Sequence, residues 1–364
     1  MLAHGDELIA QSEQMARREI GSWPDGVYRF TDYLDDDGIR LGEPVRICVT
    51  VTIRGSEITV DFAGTAPRVA SAVNSSISST KSAVWLTIRS LMDPAIPNTA
   101  GVFRPIRVVA PEGTLVNARP PAPVAARALT CFRIVDTVMG AMAEALPQKV
   151  FATGEGGISV VMVQGERSGE PYLLMDSVGC CWGGRPDKDG LEGVTAIALN
   201  ISNIPVEIIE RDCPLRIERY GFVTDTGGPG AHRGGLALER VYRLLGDRAF
   251  LQVRSDRRAY RPYGLHGGLA GTPSMTYLEA EGGRQLLPTK ITMELGQNQR
   301  LVHRHAGGGG WGDPRRRDPE HVARDVCEGK VSPETARESY GVAVHRDGTV
   351  DQEETTRLRE RGAG

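Results

Sequence analysis

Lysine is scarce in this 364-residue chain. Of its 43 basic residues, only Lys81, Lys149, Lys188, Lys290 and Lys330 are lysines. That bias reads as GC-rich bacterial coding and carries no chemistry. An uninterrupted apolar run is also missing. The longest mostly apolar stretch, 121–146, is broken by Arg127, Arg133, Asp136 and Glu144, which excludes an ordinary membrane span. Residues 1–18 have no basic start followed by an apolar run, so no secretory signal is read there. The six cysteines form no CxxC pair, which argues against a disulfide scaffold and against a thiolate zinc site. Reduced thiols in a cytoplasmic protein are the expectation. Neither sign of charge dominates: Lys+Arg 43 against Asp+Glu 46 gives a net charge of −3. No basic stripe points to nucleic acid, and no acidic block points to a disordered tail.

The short motifs that announce common chemistry are absent as well. There is no GxxxxGK[ST] phosphate loop, no HExxH and no GxSxG. The one GxGxxG match, at 307–312, runs into Asp313-Pro314 with no strand–helix context, so a dinucleotide fingerprint is not supported.

What the chain has in excess is glycine: 44 of 364 residues, against a usual share of about 7%. The glycines cluster at 154–157, 183–184, 227–230, 234–235, 267–268 and 307–310, with strand-like apolar runs between. Glycine permits positive φ and close backbone approach. Repeated clusters therefore mean either many tight turns or a surface where backbone amides meet something.

At 40% hydrophobic and 24% charged the composition is that of a globular protein of about two domains. Residues 7–20 read as a helix stopped by Trp23-Pro24-Asp25-Gly26. Residues 45–53 and 58–62 alternate around Arg54-Gly55-Ser56, a hairpin. Residues 76–91 carry a helical spacing, ended by Asp93-Pro94. Residues 125–146 form the strongest helical pattern. From residue 150 short β-like runs appear at 158–163, 172–176, 217–223, 236–243, 250–254, 274–278 and 299–302. Ser332-Pro333 looks like an N-cap with proline at the first helical position. The fold expected is a mixed, β-rich α+β class. It has an N-terminal α/β part with helices over 1–149, a β-rich glycine-loop region over 150–313 and a short helical tail over 314–364.

Candidate site residues each carry two readings. The loop 224–235 combines glycines with Asp225, His232 and Arg233, which can offer backbone amides and a guanidinium fork to a carboxylate or phosphorylated amide. It reads equally as a hairpin in which glycine supplies positive φ. Gly227, Gly228, Gly230, Gly234 and Gly235, with Asn203, are the candidate substrate-binding positions. Glu207 can serve as a general base, or stand solvated where a loop enters a strand. His303 and His305 would share one face of a strand and can bind metal, but no carboxylate or cysteine stands at matching spacing. A half-exposed pair and no metal bound by this chain are the expectation. Cys180-Cys181 lacks an identifiable partner to lower its pKa and reads as buried small hydrophobes. Arg254, Asp256, Arg257, Arg258 and Arg261 read as a solvated or interface knot.

An ordered series of strings carries a family resemblance: Val60-Asp61-Phe62-Ala63-Gly64-Thr65, then Asn74; Pro97-Asn98, Arg104-Pro105-Ile106 and Pro111-Glu112-Gly113; Asn203-Ile204-Pro205-Val206-Glu207; Arg219-Tyr220; Asp225-Thr226-Gly227-Gly228-Pro229-Gly230-Ala231-His232-Arg233-Gly234-Gly235; and Gly307-Gly308-Gly309-Gly310-Trp311-Gly312-Asp313-Pro314, with Val331-Ser332 and Tyr340-Gly341-Val342 behind it. Together these resemble the hydantoinase B/5-oxoprolinase family, related to the large subunit of acetone-type carboxylases. The resemblance implies a B-type subunit of an ATP-dependent cyclic-amide hydrolase, acting on hydantoin or 5-oxoproline-like substrates within a hetero-oligomer. It implies that an A-type partner subunit handles ATP and Mg²⁺. Related subunits are longer at the N-terminus, and the His- and Asp-containing segment that holds their divalent metal lies in that added part. His4-Gly5-Asp6 is not that motif. The expectation is therefore a chain matching the C-terminal two-thirds of such a subunit, inactive without the partner and that segment. A carboxylase subunit and a non-catalytic scaffold module are the alternatives.

From the lack of a phosphate loop we expect the purified chain to bind no ATP by itself. Calorimetry with the chain alone should give no heat of binding, and micromolar affinity would refute the expectation.

Overall fold

The computed structural model describes residues 2–361 apart from 156 and 158. The chain divides into two compact units, Met1–Val150 and Phe151–Gly364. Among the described residues no helix is long and apolar enough to cross a membrane.

In the first unit, α1 (Leu2–Ile20) precedes β1 (Gly26–Leu34), β2 (Val45–Arg54) and β3 (Glu57–Asp61); α2 (Ile77–Ser90), β4 (Ile106–Val109) and α3 (Arg127–Ala145) follow. The sheet order is β1-β2-β3-β4, antiparallel except for the parallel pair β3–β4. The β2–β3 hairpin turns where the sequence places it, with Ile53 opposite Ile58. Every second residue of β2, from Val45 to Ile53, is buried, as alternation requires. The helix α2 starts at the N-cap Ser76, whose hydroxyl accepts from Ser79 N. The helix α3 packs on β1 and β2. Its Gly140 lets the helix backbone approach Phe30, whose ring lies closer than 3.0 Å to where a Cβ would be. The buried Arg133 of α3 pairs with Asp32 at 3.1 Å.

The second unit begins with β5 (Ser159–Arg167), β6 (Glu170–Val178), α4 (Val206–Asp212), β7 (Leu215–Phe222), β8 (Leu238–Leu244) and β9 (Arg248–Arg254). It continues with β10 (Met275–Ala280), β11 (Gly283–Leu286), β12 (Lys290–Gly296) and β13 (Arg300–Arg304). Then come α5 (Pro319–Cys327), α6 (Pro333–Tyr340), the short pair β14 (Ala343–Val344) and β15 (Val350–Asp351), and α7 (Gln352–Arg361). Two antiparallel sheets, β11-β10-β13-β8-β7 and β12-β9-β5-β6, contribute to one core. Val161, Val163, Leu251, Val253 and Leu295 meet Tyr242, Leu244, Leu278 and Leu301 there. Ser332 caps α6 with Pro333 in its first turn, and Gly341 ends it at φ 62°. The mixed, β-rich α+β class expected from sequence is the fold observed. The helices beyond residue 313 lie in the second unit. The segment expected as a strand after Asn203 is instead the helix α4, with Glu207 in its first turn.

The glycine clusters meet in this unit. Residues 307–310 run as an extended spine surrounded by backbone. Gly307 N donates to Thr272 O, Gly308 N to Gly235 O, Gly309 N to Thr153 O and Gly310 N to Leu269 O, at 2.8–3.1 Å. In return, the carbonyls of Gly308, Gly309 and Gly310 accept from Gly228, Gly184 and Leu265. A Cβ on Gly307 or on Gly310 would meet the same neighbouring segment, 226–229, three residues apart along the spine. None of these four glycines has positive φ. They are glycine for space: a Cβ on any of them would lie closer than 3.0 Å to a neighbouring carbonyl oxygen, that of Thr226, Trp182, Tyr263 or Pro229 in turn. The same holds for Gly227, Gly228, Gly230, Gly234 and Gly235. The loop 224–235 is therefore not a hairpin built on positive-φ glycine; within it only Asp225 has positive φ.

Gly308→Ala should destabilise the protein by about 3 kcal/mol or more, because rigid backbone cannot yield to a methyl group. Gly221→Ala, where nothing lies within 4 Å of the added carbon, should change stability by no more than about 0.5 kcal/mol. Urea unfolding midpoints of the two variants test the contrast.

Candidate functional site

The spine begins immediately after His305-Ala306, and a buried polar cluster sits at that end. His303 and His305 lie ring against ring, with centroids 4.5 Å apart and planes at 77°. Their two-residue spacing puts them on one side, as expected, but both are 0% exposed rather than half-exposed. Glu155, just before β5, places Oε1 2.7 Å from His305 Nδ1 and accepts from Ser159 Oγ at 2.8 Å. Thr276 Oγ1 lies 2.9 Å from His303 Nδ1. Cys180, just after β6, receives a hydrogen bond from Leu238 N at 3.2 Å. Its Sγ also lies 3.7 Å from Ala306 O, which the Cys181 thiol approaches to 3.4 Å.

The carboxylate and cysteine that sequence spacing did not supply arrive through the fold. One donor atom each from Glu155, Cys180 and His305 lie within 4.8 Å of one another, so these residues can hold a metal ion. From sequence, this chain alone is expected to bind no metal; the fold adds a candidate donor set that spacing along the sequence does not reveal. The cluster is under-satisfied: Glu155 Oε2, His303 Nε2 and His305 Nε2 are buried and have no hydrogen-bond partner among the described residues. Each such group costs about 1–3 kcal/mol. Burial pushes the Cys180 thiol well above its ordinary pKa, with Cys181 and Glu155 adding to the shift. Burial also holds His303 well below its ordinary value, with His305 and Arg258 adding to it. Metal-free, the thiol and the His303 ring are therefore uncharged near neutral pH.

The other sequence candidates supply no atom to this donor group. Gly228, Gly234 and Gly235 direct their amides to the backbone carbonyls of Gly308, Gly228 and Trp182. Arg233 is buried, and its guanidinium bonds Glu192 Oε1 at 2.8 Å and its neighbour's carbonyl, Gly234 O, at 2.7 Å. Asp225 accepts from Ser332 N at 2.7 Å. The half-buried His232 stands with its ring near Trp311, which His266 flanks on a second side. Asn203 closes a loop, accepting from Gly179 N at 2.7 Å and donating to Gly179 O and Tyr220 Oη. Glu207 is exposed on α4. The Arg254–Arg261 region is no solvated knot: Ser255, Asp256 and Arg257 are buried, and Arg258 donates to Leu287 O at 2.6 Å.

Residues 1–314 match the family described as hydantoinase B/oxoprolinase. The chain belongs to that family. It is 35% identical, over 98% of its length, to a protein of Pseudomonas sp. (strain NS671) provisionally named as the B component of a D-/L-hydantoinase. It is 29% identical, over 96% of its length, to the beta chain of the caprolactamase of Pseudomonas jessenii. It spans 62% of the length of each of these two relatives. The crystal structure of the ATP-dependent caprolactamase from Pseudomonas jessenii superposes with a TM-score of 0.85 at 27% identity, over 98% of this chain and 63% of that one. An acetone carboxylase structure shares the fold at a TM-score of 0.85 and 19% identity, over 97% of this chain and 54% of that one.

In this hydantoinase B family member, the spine end carrying Trp311 is tied down by charge. Arg317 grips both oxygens of Asp189 at 2.6 and 2.7 Å and reaches Asp325 at 2.7 Å. Asp189 also accepts from Arg233 N at 2.7 Å. Burial alone would raise the Asp189 carboxyl, but the Arg317 hydrogen bonds and charge outweigh it and hold the group below the usual carboxylate range. A depressed acid contributes stability above its unfolded value of about 3.9, and that contribution is lost as pH falls through the folded value. Asp189→Asn should cost about 2 kcal/mol at neutral pH, because it removes charge-assisted hydrogen bonds and leaves the buried Arg317 with Asp325 as its remaining acidic partner. The gap from the parent should begin to narrow as pH falls below about 4 and should close only below the depressed folded value. Urea titrations at neutral and acid pH read both effects.

Proposed function

We propose that the chain is the B-type subunit of an ATP-dependent cyclic-amide hydrolase. What carries this reading is the match along nearly the whole chain to two relatives named for cyclic-amide substrates, a hydantoinase B component and a caprolactamase beta chain. Both names denote one part of a multi-subunit enzyme, which supports a hetero-oligomer. In this reading an A-type partner phosphorylates the amide oxygen of the ring. An amide carbonyl is a poor electrophile, and phosphorylation turns its oxygen into a leaving group. Within the assembly to which this chain contributes, water then adds to the activated carbon, the C–N bond breaks to leave an acyl phosphate with the nitrogen protonated, and a second water releases phosphate and the ring-opened acid. A weaker likeness, 25% identity to an acetophenone carboxylase delta subunit, favours a second reading in which the same activation serves carbon–carbon bond formation.

The test is reconstitution. The chain would be combined with an A-type subunit and with the segment by which the longer relatives exceed it. Hydantoin, 5-oxoproline and caprolactam would be offered with ATP and Mg²⁺. The expected result is ring opening with one ADP released per ring, and none with the chain alone. Incorporation of labelled bicarbonate into a ketone, without ring opening, would replace the hydrolase reading with the carboxylase one.

A further inference from the structure

We propose that Glu155, Cys180 and His305 form a buried zinc site that holds the head of the glycine spine. The donor atoms come from three separate segments and already lie within 4.8 Å of one another. Bonds of about 2.0–2.3 Å to a tetrahedral zinc ion separate such donors by roughly 3.3–3.6 Å. Only a small contraction is needed. The donor set suits the metal: thiolate and imidazole favour zinc, whereas magnesium and calcium prefer all-oxygen sites.

Three features of the cluster point to a metal rather than to an ordinary buried ion pair. The first is the loose ends. Pairing His305 Nδ1 with Glu155 Oε1 leaves His305 Nε2 and Glu155 Oε2 buried and unpartnered, and a cation gives such lone pairs a partner. The second is the backbone amide of Leu238, which points at Cys180 Sγ at 3.2 Å and so supports negative charge on sulfur. The third is His303. Its Nδ1 is fixed by Thr276, its Nε2 is buried without a hydrogen-bond partner, and its ring packs against that of His305 with centroids 4.5 Å apart, so the polar deficit extends beyond the three donors.

A Cys180–His305–Glu155 nucleophilic triad uses the same residues but needs an approach for substrate. Cys180 is 1% exposed and His305 0% exposed. With no approach for substrate, the role assigned to the ion is structural. On binding, the Cys180 thiol gives up its proton to solvent and the zinc–sulfur bond forms, with no change of oxidation state.

The experiment uses the full chain, purified without a histidine tag. Metal analysis after dialysis is expected to give close to one equivalent of zinc. Replacement by cobalt(II) is expected to give the near-ultraviolet charge-transfer absorption of a thiolate ligand, together with the strong visible bands of a tetrahedral ion. Cys180→Ser should abolish the charge-transfer band, and Cys181→Ser should keep it. Glu155→Gln and His305→Gln should lose the bound equivalent. The proposal is overturned if the parent protein binds neither zinc nor cobalt above the buffer background. It is also overturned if the thiolate band survives Cys180→Ser or disappears in Cys181→Ser. Should Cys180→Ser fail to fold, the thiolate band of the parent protein and its persistence in Cys181→Ser decide the matter. Because these readouts need no partner and no substrate, they can fail while the hydrolase reading stands, and the reverse.

Discussion

Backbone packed directly on backbone, with no side chain between, is the constraint from which the second unit follows. Four consecutive glycines at 307–310 are enclosed by segments around Thr153, Gly184, Gly228, Gly235, Leu265 and Leu269, each joined to the spine by a main-chain hydrogen bond. Buried peptide groups must find partners, and here they find them outside both sheets. The arrangement works only while none of the meeting chains carries a Cβ at the contact. That is why the same unit demands Gly183, Gly234, Gly268 and Gly271 on the surrounding segments.

The spine also decides where the polar groups gather. Glu155 lies two residues beyond Thr153, Cys180 two before Trp182, and His305 two before Gly307. Each is carried to the same end by a segment that already belongs to the spine. The cluster there is buried and short of hydrogen bonds. Where Trp311 lies, the balance differs: Arg317, Arg233, Asp189 and Asp325 neutralise one another through short contacts. One end is thus closed by charge pairs and the other by the buried donor set of Glu155, Cys180 and His305.

Local features were legible in the sequence, and convergent ones were not. The alternation of β2, the hairpin at Gly55, the helical spacing that begins at Ser76 and the Ser332-Pro333 start of α6 are each encoded within a few residues, and all appear where periodicity and capping chemistry place them. The glycine clusters were conspicuous, but their purpose was not. Composition cannot distinguish a glycine needed for positive φ from one needed for space, and at 307–310 it is space. The strands β1, β4, β11, β12, β14 and β15 lie outside the runs expected from sequence; β4, β11, β14 and β15 are only two to four residues long, and in β1 the buried Asp32 breaks the apolar alternation. The grouping of Glu155, Cys180 and His305 could not have been read from spacing, since each belongs to a different segment. The family strings did carry the overall architecture, because their order along the chain is itself a description of the fold.

The spine has a kinetic consequence. Its neighbours come from both ends of the β-rich region: Thr153 lies before the first strand of the two sheets, whereas Gly309 lies after the last. No contiguous stretch of chain can close it, so nearly every bond it makes must wait for distant loops to be brought together. Folding rates fall as contacts become more distant in sequence, because loop-closure entropy is lost before any contact compensates. The sheets can form from their own hairpins, but the glycine bundle can set only after they have met. Until it does, a set of bare peptide groups stands open to any other chain with strands to offer, so the interval before the bundle closes is when this protein is most exposed to misassembly.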